Sequence, residues 1–342
     1  MGLQVELVDP VREPVPAQWD EFVAGQRLLP LWRSTLLTTS AWCAQTPIVL
    51  AIVRDPTGVP VALFHARLVG LPVNPTRYLG PRHLGPRPVA PVGAVECRLS
   101  PASVLPGVAF AAELDEPGRS AAVRAFERAA RHRFGWRCLA VAYRHLTAAD
   151  LPLVRRRGRL VVETDPPMVL RNQWADPADY LRWLPARWSA RLRRINEDIE
   201  ADPGVTVSVG RSVPAVPAIS LLQAVRRRHQ SRLLIRPPVP ARYLDQLGGL
   251  PGTRFVTYTD PAGRLLAFGA LHESRDGLLS TFWGNRDRAD GGLPNLYFDH
   301  YLRAVRLMVA GGHACFSFGK GLREIKERYG AEPVACYSVA GR

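Results

Sequence analysis

The two lysines of this chain lie six residues apart in its C-terminal third, and each has glycines nearby. Lys320 stands in Phe316-Ser-Phe-Gly-Lys-Gly321, and Lys326 stands in Ile325-Lys-Glu-Arg-Tyr-Gly330. All the other residues among the 45 Lys and Arg are arginines. Arginine keeps its proton and presents a broad fork, whereas lysine is a compact donor whose pKa can shift. Lysines in such an arginine-rich chain therefore indicate that these two positions require an amine.

The segment around Lys320 has the composition of an anion-binding loop. Gly319, Lys320 and Gly321 follow a predicted strand and precede a predicted helix. A glycine-rich turn that leads into a helix leaves backbone N–H groups available to an anion or an oxyanion. Such turns are common, so this segment by itself indicates a binding site only in general terms.

The motifs of several enzyme classes are absent. The sequence contains no G-x-S-x-G, H-E-x-x-H, P-loop or G-x-G-x-x-G pattern. Its histidines lack metal-ligand spacing, and its five cysteines are scattered without a C-x-x-C pair. We therefore expect no metal site and no disulfide framework, with free thiols in a reducing cytoplasm.

Membrane association is not expected from the hydropathy pattern. The longest uniformly apolar run, Pro47–Val53, is far shorter than the ~20 residues that a membrane span needs. Met1–Pro10 has neither the basic nor the apolar region of a signal peptide. We expect a cytoplasmic monomer or homodimer with no membrane partner.

The positive charge of the chain favours an anionic partner. The formal net charge is +15, and such an excess attracts polyanions. Two segments concentrate arginine: one face of a predicted helix after residue 186, and the stretch between Asp202 and Asp245, which has no acidic residue. Cationic groups at a phosphate backbone release counterions and strengthen binding. The candidate phosphate contacts are Arg187, Arg191, Arg193, Arg194, Arg226, Arg227 and Arg228.

Hydrophobic periodicity predicts the elements that must position these residues. The C-terminal third is predicted to alternate strands and helices in the order β-β-β-α-β-α-β. In chain order the predicted elements are Arg254–Thr259, Leu265–His272, Leu278–Gly284, a helix from Pro294 to Ala310, Ala314–Phe318, Leu322–Tyr329 and Val334–Val339.

The N-terminal half is a weaker copy of the same plan, which predicts two structural repeats. A short strand and a helix precede the hairpin pattern of Ile48–Arg54 and Val59–Val69. We place the boundary near Pro166-Pro167, giving domains at 1–165 and 166–342. Pro177–Ala201 is predicted as one long helical stretch.

The motifs of the C-terminal half resemble those of the GNAT superfamily of acyltransferases. The likeness is to Fem-type aminoacyl transferases and to the BioF/CelD-like acetyltransferase group. Phe316–Gly321 resembles the F-D-F-G-x-G loop, Ile325–Ala331 resembles Y-K-x-x-F-G-A, and the helix from Arg187 to Arg194 resembles a basic R-x-x-L-R-R stretch. Trp283-Gly-Asn285 and Leu293-Pro-Asn-Leu-Tyr-Phe298 occur in the expected order and spacing.

The resemblance implies an α/β (α+β) fold of tandem GNAT-like domains, each a mixed, largely antiparallel sheet flanked by helices. The N-terminal copy would be degenerate and the C-terminal copy would carry the acyl-transfer site. In this family the lysine of the K-x-x-F-G segment sits near the reacting carbonyl, so Lys326 would stabilise the oxyanion. Tyr329, on the same helix, would protonate the leaving group. The substrate-binding candidates are Trp283, Asn285, Asn295, Tyr297, Gly319, Lys320 and Gly321.

Two departures from the family pattern bear on the donor. Ser317 stands where Asp is common, and Gly291-Gly292-Leu-Pro replaces the R/Q-x-x-G-x-G/A pyrophosphate loop of acetyl-CoA enzymes. These departures favour aminoacyl-tRNA as co-substrate over acetyl-CoA or another acyl-CoA, with no other cofactor.

The function expected from the sequence is transfer of an aminoacyl group from tRNA to a small molecule that bears an amine or a hydroxyl. The arginine-rich composition is typical of GC-rich genomes and favours a role in specialised-metabolite biosynthesis. One alternative is an acyl-CoA-dependent N-acyltransferase. Another is a non-catalytic nucleic-acid-binding protein that retains a GNAT-like fold.

Overall fold

The computed structural model describes residues 2–44, 47–70, 92–99, 105–229 and 239–342. These residues form two compact units. The described residues of the first unit lie within Met1–Asp165 and Ala335–Arg342, together with Val239, and those of the second lie within Pro166–Ser231 and Pro240–Val334.

The first unit is built on an eight-stranded sheet in the described part of the chain, in the order β1-β2-β3-β4-β6-β15-β7, with β5 paired to β3. All its pairings are antiparallel except that of β4 with β6. Its strands are β1 (Gln4–Val8), β2 (Ile48–Arg54), β3 (Pro60–Gly70), β4 (Gly93–Cys97), β5 (Val108–Phe110), β6 (Cys138–Leu146), β7 (Leu160–Thr164) and β15 (Cys336–Gly341). Its helices are α1 (Ala17–Gly25), α2 (Ser34–Cys43), α3 (Glu116–Phe134) and α4 (Leu151–Val154).

Helix α3 covers the sheet of this unit with an apolar face. Phe126 of α3 stacks on Phe64 of β3, with ring centroids 4.2 Å apart. Asp115 caps the start of the helix by accepting a hydrogen bond from the amide of Gly118. The aromatic stack lies in a core cluster of buried side chains from β2, β3, β4, β6 and α3.

The last strand of the chain does not pair where the sequence pattern suggested. We expected it to continue the C-terminal domain, as Val334–Val339. The structure has β15 at Cys336–Gly341, inserted between β6 and β7 of the first unit. A short strand with one buried face carries no mark of its partner in the sequence, because any sheet edge can supply the missing hydrogen bonds.

The second unit is built on a seven-stranded sheet in the described part of the chain, in the order β14-β8-β13-β12-β11-β10-β9. The pairing of β12 with β13 is parallel and the others are antiparallel. Its strands are β8 (Met168–Arg171), β9 (Thr206–Gly210), β10 (Thr253–Thr259), β11 (Leu265–Ser274), β12 (Gly277–Asn285), β13 (Cys315–Gly319) and β14 (Glu332–Pro333). Its helices are α5 (Pro177–Trp183), α6 (Ala186–Ala201), α7 (Ala215–His229), α8 (Ala241–Gly249), α9 (Leu296–Ala310) and α10 (Arg323–Glu327).

The predicted fold class is confirmed: each unit is a mixed, largely antiparallel sheet flanked by helices. One predicted element is divided. The stretch Pro177–Ala201 forms two helices, α5 and α6, which are separated at Leu184 and Pro185. Proline disfavours helical geometry at the preceding residue and lacks the N–H that would continue the helix.

Strands β12 and β13 are paired only at Leu278 with Phe316 and at Leu279 with Ser317. From there β12 continues to Asn285, where a loop leads into α9. Most of the residues that the motifs singled out lie at the C-terminal ends of β12 and β13 and at the start of α9. No helix in the described ranges is both long and apolar enough to cross a bilayer.

Candidate functional site

A pocket of about 230 Å³ lies at the end of β12 and the start of α9. Trp283, Asn285, Asn295 and Tyr297, which were predicted to bind substrate, all line it. It is bounded as well by Arg228, Arg286, Asp287, Arg288, Leu293, Pro294 and Leu296. We call it the α9 pocket.

Aromatic packing holds the apolar wall of the α9 pocket. Trp283 meets Tyr297 edge to face, with ring centroids 5.4 Å apart. The hydroxyl of Tyr297 donates to the hydroxyl of Tyr301 over 2.9 Å. Burial raises the pKa of Tyr297 to about 12, so this phenol stays protonated at neutral pH. The two rings thus form an apolar corner, and the Tyr297 hydroxyl is held in place by Tyr301.

Arginines form the polar side of the pocket. Arg228 pairs with the carboxylate of Asp287 and donates to the carbonyl of Asn285 over 2.9 Å. The Nε–H of Arg286 donates to the carbonyl of Leu265 over 2.7 Å. Arg288 is exposed at the rim. The side chains leave a positive bias at the mouth, which suits an anionic group.

Of the three consecutive arginines of α7, only Arg228 lines the α9 pocket. Successive helical residues point about 100° apart, so Arg226 and Arg227 face elsewhere. Two further arginines of the acid-free stretch, Arg232 and Arg236, lie outside the described residues.

The start of α9 turns its backbone toward the α9 pocket. Asn295 adopts a left-handed conformation (φ 65°) and its side chain does not cap the helix. Its carbonyl accepts the amides of Phe298 and Asp299. The positive end of the helix dipole and the first amides favour an anion or a developing oxyanion at this end.

Lys326 is buried, and its ammonium holds the glycine loop together. Nζ donates to the carbonyl of Gly319 over 3.0 Å and to that of Lys320 over 2.8 Å. Gly319 and Gly321 have φ values of 71° and 74°, a left-handed geometry that glycine adopts without steric cost. The structure therefore places Lys326 as a clamp on the loop, and its predicted contact with an acyl carbonyl stays a prediction.

The Tyr329 hydroxyl is also engaged. It donates to the carbonyl of Phe298 over 2.8 Å, and burial raises its pKa well above the ordinary value. Trp188 and Phe318 pack against the ring, each with centroids 5.7 Å away. This is the geometry of a packing residue that joins the end of α10 to α9. Gly319, Lys320, Gly321, Lys326 and Tyr329 are not among the described residues that line the α9 pocket.

The predicted basic face exists on α6. Arg187, Arg191, Arg193 and Arg194 are all exposed. The guanidinium of Arg191 lies 5.4 Å from the ring centroids of both Trp188 and Phe298. Arg194 is 3.8 Å from Asp198, in an exposed pair that contributes little to stability.

Arg328 was missed by the sequence reasoning. Its guanidinium lies 5.6 Å from the ring centroid of Trp188 and so joins the basic face of α6. The available signal was its place within Ile325-Lys-Glu-Arg-Tyr-Gly330. We call this surface the α6 basic face: Arg187, Arg191, Arg194 and Arg328.

A buried polar network behind the α9 pocket was also missed. Asp299 accepts hydrogen bonds from Asn196 (2.9 Å), Tyr258 (2.8 Å) and Arg303 (2.6 Å). Arg303 also reaches Glu200 over 3.1 Å. The network fastens α9 to α6 and β10. The i, i+4 spacing of Asp299 and Arg303 was the only signal of it in the sequence.

His300 is the most unusual group near the α9 pocket. It is fully buried, and neither ring nitrogen has a hydrogen-bond partner. Burial lowers its pKa to about 3, so the ring is neutral. It lies against Trp283, with centroids 5.1 Å apart, and over Gly269, where a Cβ would be 2.2 Å from its Cε1.

The described part of the chain contains neither a cluster of metal-ligating side chains nor a disulfide bond. No three His, Cys, Asp or Glu side chains come together there as a metal-binding group. All five cysteines are free, and Cys97 and Cys336 are buried.

Comparison with known proteins identifies the fold. No protein-family model and no curated protein matches the sequence. The solved structure of L-PGS from Bacillus licheniformis superposes with a TM-score of 0.61 at 13% identity, over 96% of this chain and 92% of that one. The C-terminal domain of a putative lysylphosphatidylglycerol synthetase from Agrobacterium fabrum gives 0.58 at 12% identity, over 95% and 91%.

The crystal structure of FemX gives a TM-score of 0.59 at 11% identity, over 98% of this chain and 96% of that chain. The coverage extends over both units. The resemblance to the Fem-type, GNAT-like group that the motifs suggested is thus confirmed at the level of the fold.

Proposed function

We propose that this protein is an acyltransferase that moves an aminoacyl group from aminoacyl-tRNA to a small acceptor bearing an amine or a hydroxyl. The observation that carries the proposal is the position of the α6 basic face next to the helix that opens the α9 pocket. Arg191 contacts the ring of Phe298, and the neighbouring Tyr297 lines the pocket.

The α6 basic face has the dimensions of a polyanion contact. Arg187 and Arg194 are seven residues apart on one helix, which corresponds to about 10 Å along its axis. Arg187 and Arg191 of this face are exposed and form no ion pair with any described residue, so their charges are available to an exogenous anion. Several adjacent phosphates would each meet a cation, as on a nucleic acid backbone.

The proposed reaction needs an oxyanion stabiliser, a binding surface for the aminoacyl group and a well-ordered glycine loop in the second unit. The acceptor nitrogen or oxygen attacks the ester carbon, and the bond from that carbon to the ribose oxygen of the tRNA breaks. The proton lost by the acceptor goes to the ribose oxygen. Amides at the start of α9 would stabilise the oxyanion, Trp283 and Tyr297 would hold the aminoacyl group, and Lys326 would keep the glycine loop in place.

The names of the structural relatives are compatible with this chemistry. One of them is a putative lysylphosphatidylglycerol synthetase, a name that combines a lysyl group with phosphatidylglycerol. For the present chain we propose an acceptor that bears an amine or a hydroxyl.

A second candidate is an acyl-CoA-dependent N-acyltransferase. The observation that favours it is the set of Arg228, Arg286 and Arg288 around the free start of α9, where a diphosphate would find both cations and amides. A diphosphate needs only this rim, whereas tRNA needs the α6 basic face as well.

The deciding experiment is binding of the purified chain to bulk deacylated tRNA and, separately, to CoA over a series of salt concentrations. We expect submicromolar tRNA affinity that falls steeply with salt, and no CoA binding. Transfer assays with a mixture of charged tRNAs and a panel of amines would follow. CoA binding with weak tRNA affinity would establish the second candidate, and tRNA binding without transfer would favour a non-catalytic protein.

A further inference from the structure

A second pocket of the same unit, about 460 Å³ in volume, lies beside β8 and the end of α10. It is separate in its lining from the α9 pocket. Its floor contains the buried Leu170 and its wall contains two tryptophans. We call it the tryptophan pocket, and the residues that matter are Leu170, Arg171, Trp174, Trp183, Gly330 and Glu332.

The aromatic wall of the tryptophan pocket is rigid. Trp174 and Trp183 have centroids 5.1 Å apart with their planes at 61°. Tyr180 packs against both, at 4.9 Å and 6.4 Å, and its hydroxyl donates to the carbonyl of Tyr329 over 3.2 Å. Trp183 nonetheless remains 49% exposed. A supported aromatic corner that stays open to solvent is typical of a binding surface.

Gly330 permits this arrangement. Its φ is 79°, and a Cβ at this position would lie 2.4 Å from Cη2 of Trp183. Only a glycine can take that backbone geometry and leave room for the indole. The absence of a side chain at residue 330 thus allows the Trp183 indole to pack against the backbone in the pocket wall.

The rim of the tryptophan pocket carries two opposite charges that do not neutralise each other. Neither Arg171 nor Glu332 forms an ion pair with any residue that the structure describes, although both are exposed and both line the pocket. Glu327, at the same rim, differs because its carboxylate is bound by Arg323 over 2.7 Å. An unpaired cation and an unpaired anion around one aromatic corner are complementary to a ligand that carries both charges.

We propose that the tryptophan pocket binds an amino-acid-like zwitterion. Its carboxylate would take the guanidinium fork of Arg171, and its ammonium would lie against the faces of the tryptophans with Glu332 as counter-ion. The volume is within the range of small-molecule sites. The assignment of the zwitterion as the recognition end of the acceptor rests on the proposed transferase function. Binding of a zwitterion in the tryptophan pocket does not depend on that function.

The test uses three matched probes: L-norleucine, pentylamine, which lacks its carboxylate, and hexanoate, which lacks its amine. Binding to the full chain is followed by tryptophan fluorescence and calorimetry, without tRNA. Because the charges are exposed, we expect millimolar affinity, with norleucine at least about threefold tighter than either single-charge probe.

The variants separate the two ends of the ligand. Arg171→Gln should weaken norleucine and hexanoate by about two- to fivefold and leave pentylamine unchanged. Glu332→Gln should weaken norleucine and pentylamine and leave hexanoate unchanged. Trp183→Phe keeps a ring and should reduce all amine binding only modestly, whereas Trp183→Ala should abolish it. Arg254→Gln, an exposed arginine of β10 whose partner Glu273 lies outside the pocket lining as well, removes a charge elsewhere on the same unit and serves as control.

Equal affinity for the three probes, or charge variants that weaken all probes alike, would overturn the proposal, as would the absence of norleucine binding in a folded protein. Norleucine binding in a protein that neither binds tRNA nor transfers an aminoacyl group would support this site and contradict only the proposed function.

Discussion

The ammonium of Lys326 lies 3.0 Å from the carbonyl oxygen of Gly319, and this bond ties α10 to the end of β13. A lysine that serves only as an oxyanion donor would be expected to point at the substrate. Here the charge is satisfied by loop carbonyls in the interior of the second unit. Lys326 therefore stabilises the conformation of the glycine loop.

Replacing Lys326 by methionine should destabilise the protein by about 2 kcal/mol, because buried carbonyl oxygens lose their donor while the aliphatic stem is largely kept. Urea unfolding measures the loss. Lys320→Met is the matched control, since Lys320 is only half-buried, and should cost much less.

The same variant separates a positioning role from a catalytic one. If Lys326 only positions the loop, transfer activity should fall together with the stability of the loop, and Lys326→Arg should recover part of both. A Lys326→Met protein with unchanged unfolding free energy and greatly reduced turnover would instead assign the lysine to the reacting carbonyl.

The buried carboxylate of Asp299 should be among the most sensitive positions of the second unit. Asp299→Ala leaves the partly buried Arg303 with only the exposed Glu200 as counter-ion, and it leaves Tyr258 and Asn196 without their buried acceptor. We expect a loss of about 3–5 kcal/mol in the free energy of unfolding. Asp198→Ala, which removes an exposed carboxylate on α6, should change it by less than about 0.5 kcal/mol. Equal effects of the two would contradict the network.

The local elements and part of the lining of the α9 pocket were predictable from the sequence. The apolar spacing over α9 and the alternation in β10, β11 and β12 depend on neighbouring residues, so short patterns report them. Trp283, Asn285, Asn295 and Tyr297 flank a single connection between a strand and a helix, which brings them together in any such fold. The exposed arginines of α6 followed from helical spacing in the same way.

What could not be predicted depends on residues far apart in the chain. The destination of β15, the bonds between Asn196 and Asp299, and the seating of His300 on Gly269 join segments whose separation exceeds any local pattern. The burial of Lys326 is of the same kind, since its helix is polar and short. The rarity of lysine indicated that the amine mattered, but not that it faces inward.

The α6 basic face predicts a specific change in salt dependence. Arg191→Glu with Arg194→Glu should weaken tRNA binding and reduce the slope of log affinity against log salt by about 2, because two phosphate contacts are lost. Arg124→Glu with Arg128→Glu makes the same charge change on exposed positions of α3 and is the control. Identical loss in both double variants would show a general effect of net charge rather than a site.

Acid should destabilise the protein through its buried histidines. Burial lowers the pKa of His272 and of His300 to about 3 in the folded state, whereas an unfolded histidine titrates near 6.5. As pH falls below about 6.5 the unfolded chain binds protons that the folded chain does not, so stability falls between about pH 6.5 and pH 3. Each histidine contributes up to about 1.4 kcal/mol per pH unit in that window.

His300→Leu should therefore flatten the pH dependence of the unfolding free energy by about one proton. At neutral pH it should leave stability unchanged or slightly increased, because two unpartnered buried nitrogens are removed. Urea titrations at several pH values between 7.5 and 4.5 give both quantities. If the slope of unfolding free energy against pH stayed the same, the His300 imidazole would not be held buried in its neutral form in solution.

The seating of His300 on Gly269 predicts an energetic coupling between β11 and α9. Gly269→Ala should cost about 1–3 kcal/mol, because the added methyl group would meet the imidazole at 2.2–2.7 Å. In a His300→Ala background the same change should cost little, giving a coupling energy above about 1 kcal/mol in a double-mutant cycle. Gly210→Ala, on β9 with no atom within 4 Å of the new Cβ, is the matched strand control and should be neutral. A cost for Gly269→Ala that persists without the imidazole would place the conflict in the backbone of the bulged β11–β12 pair instead.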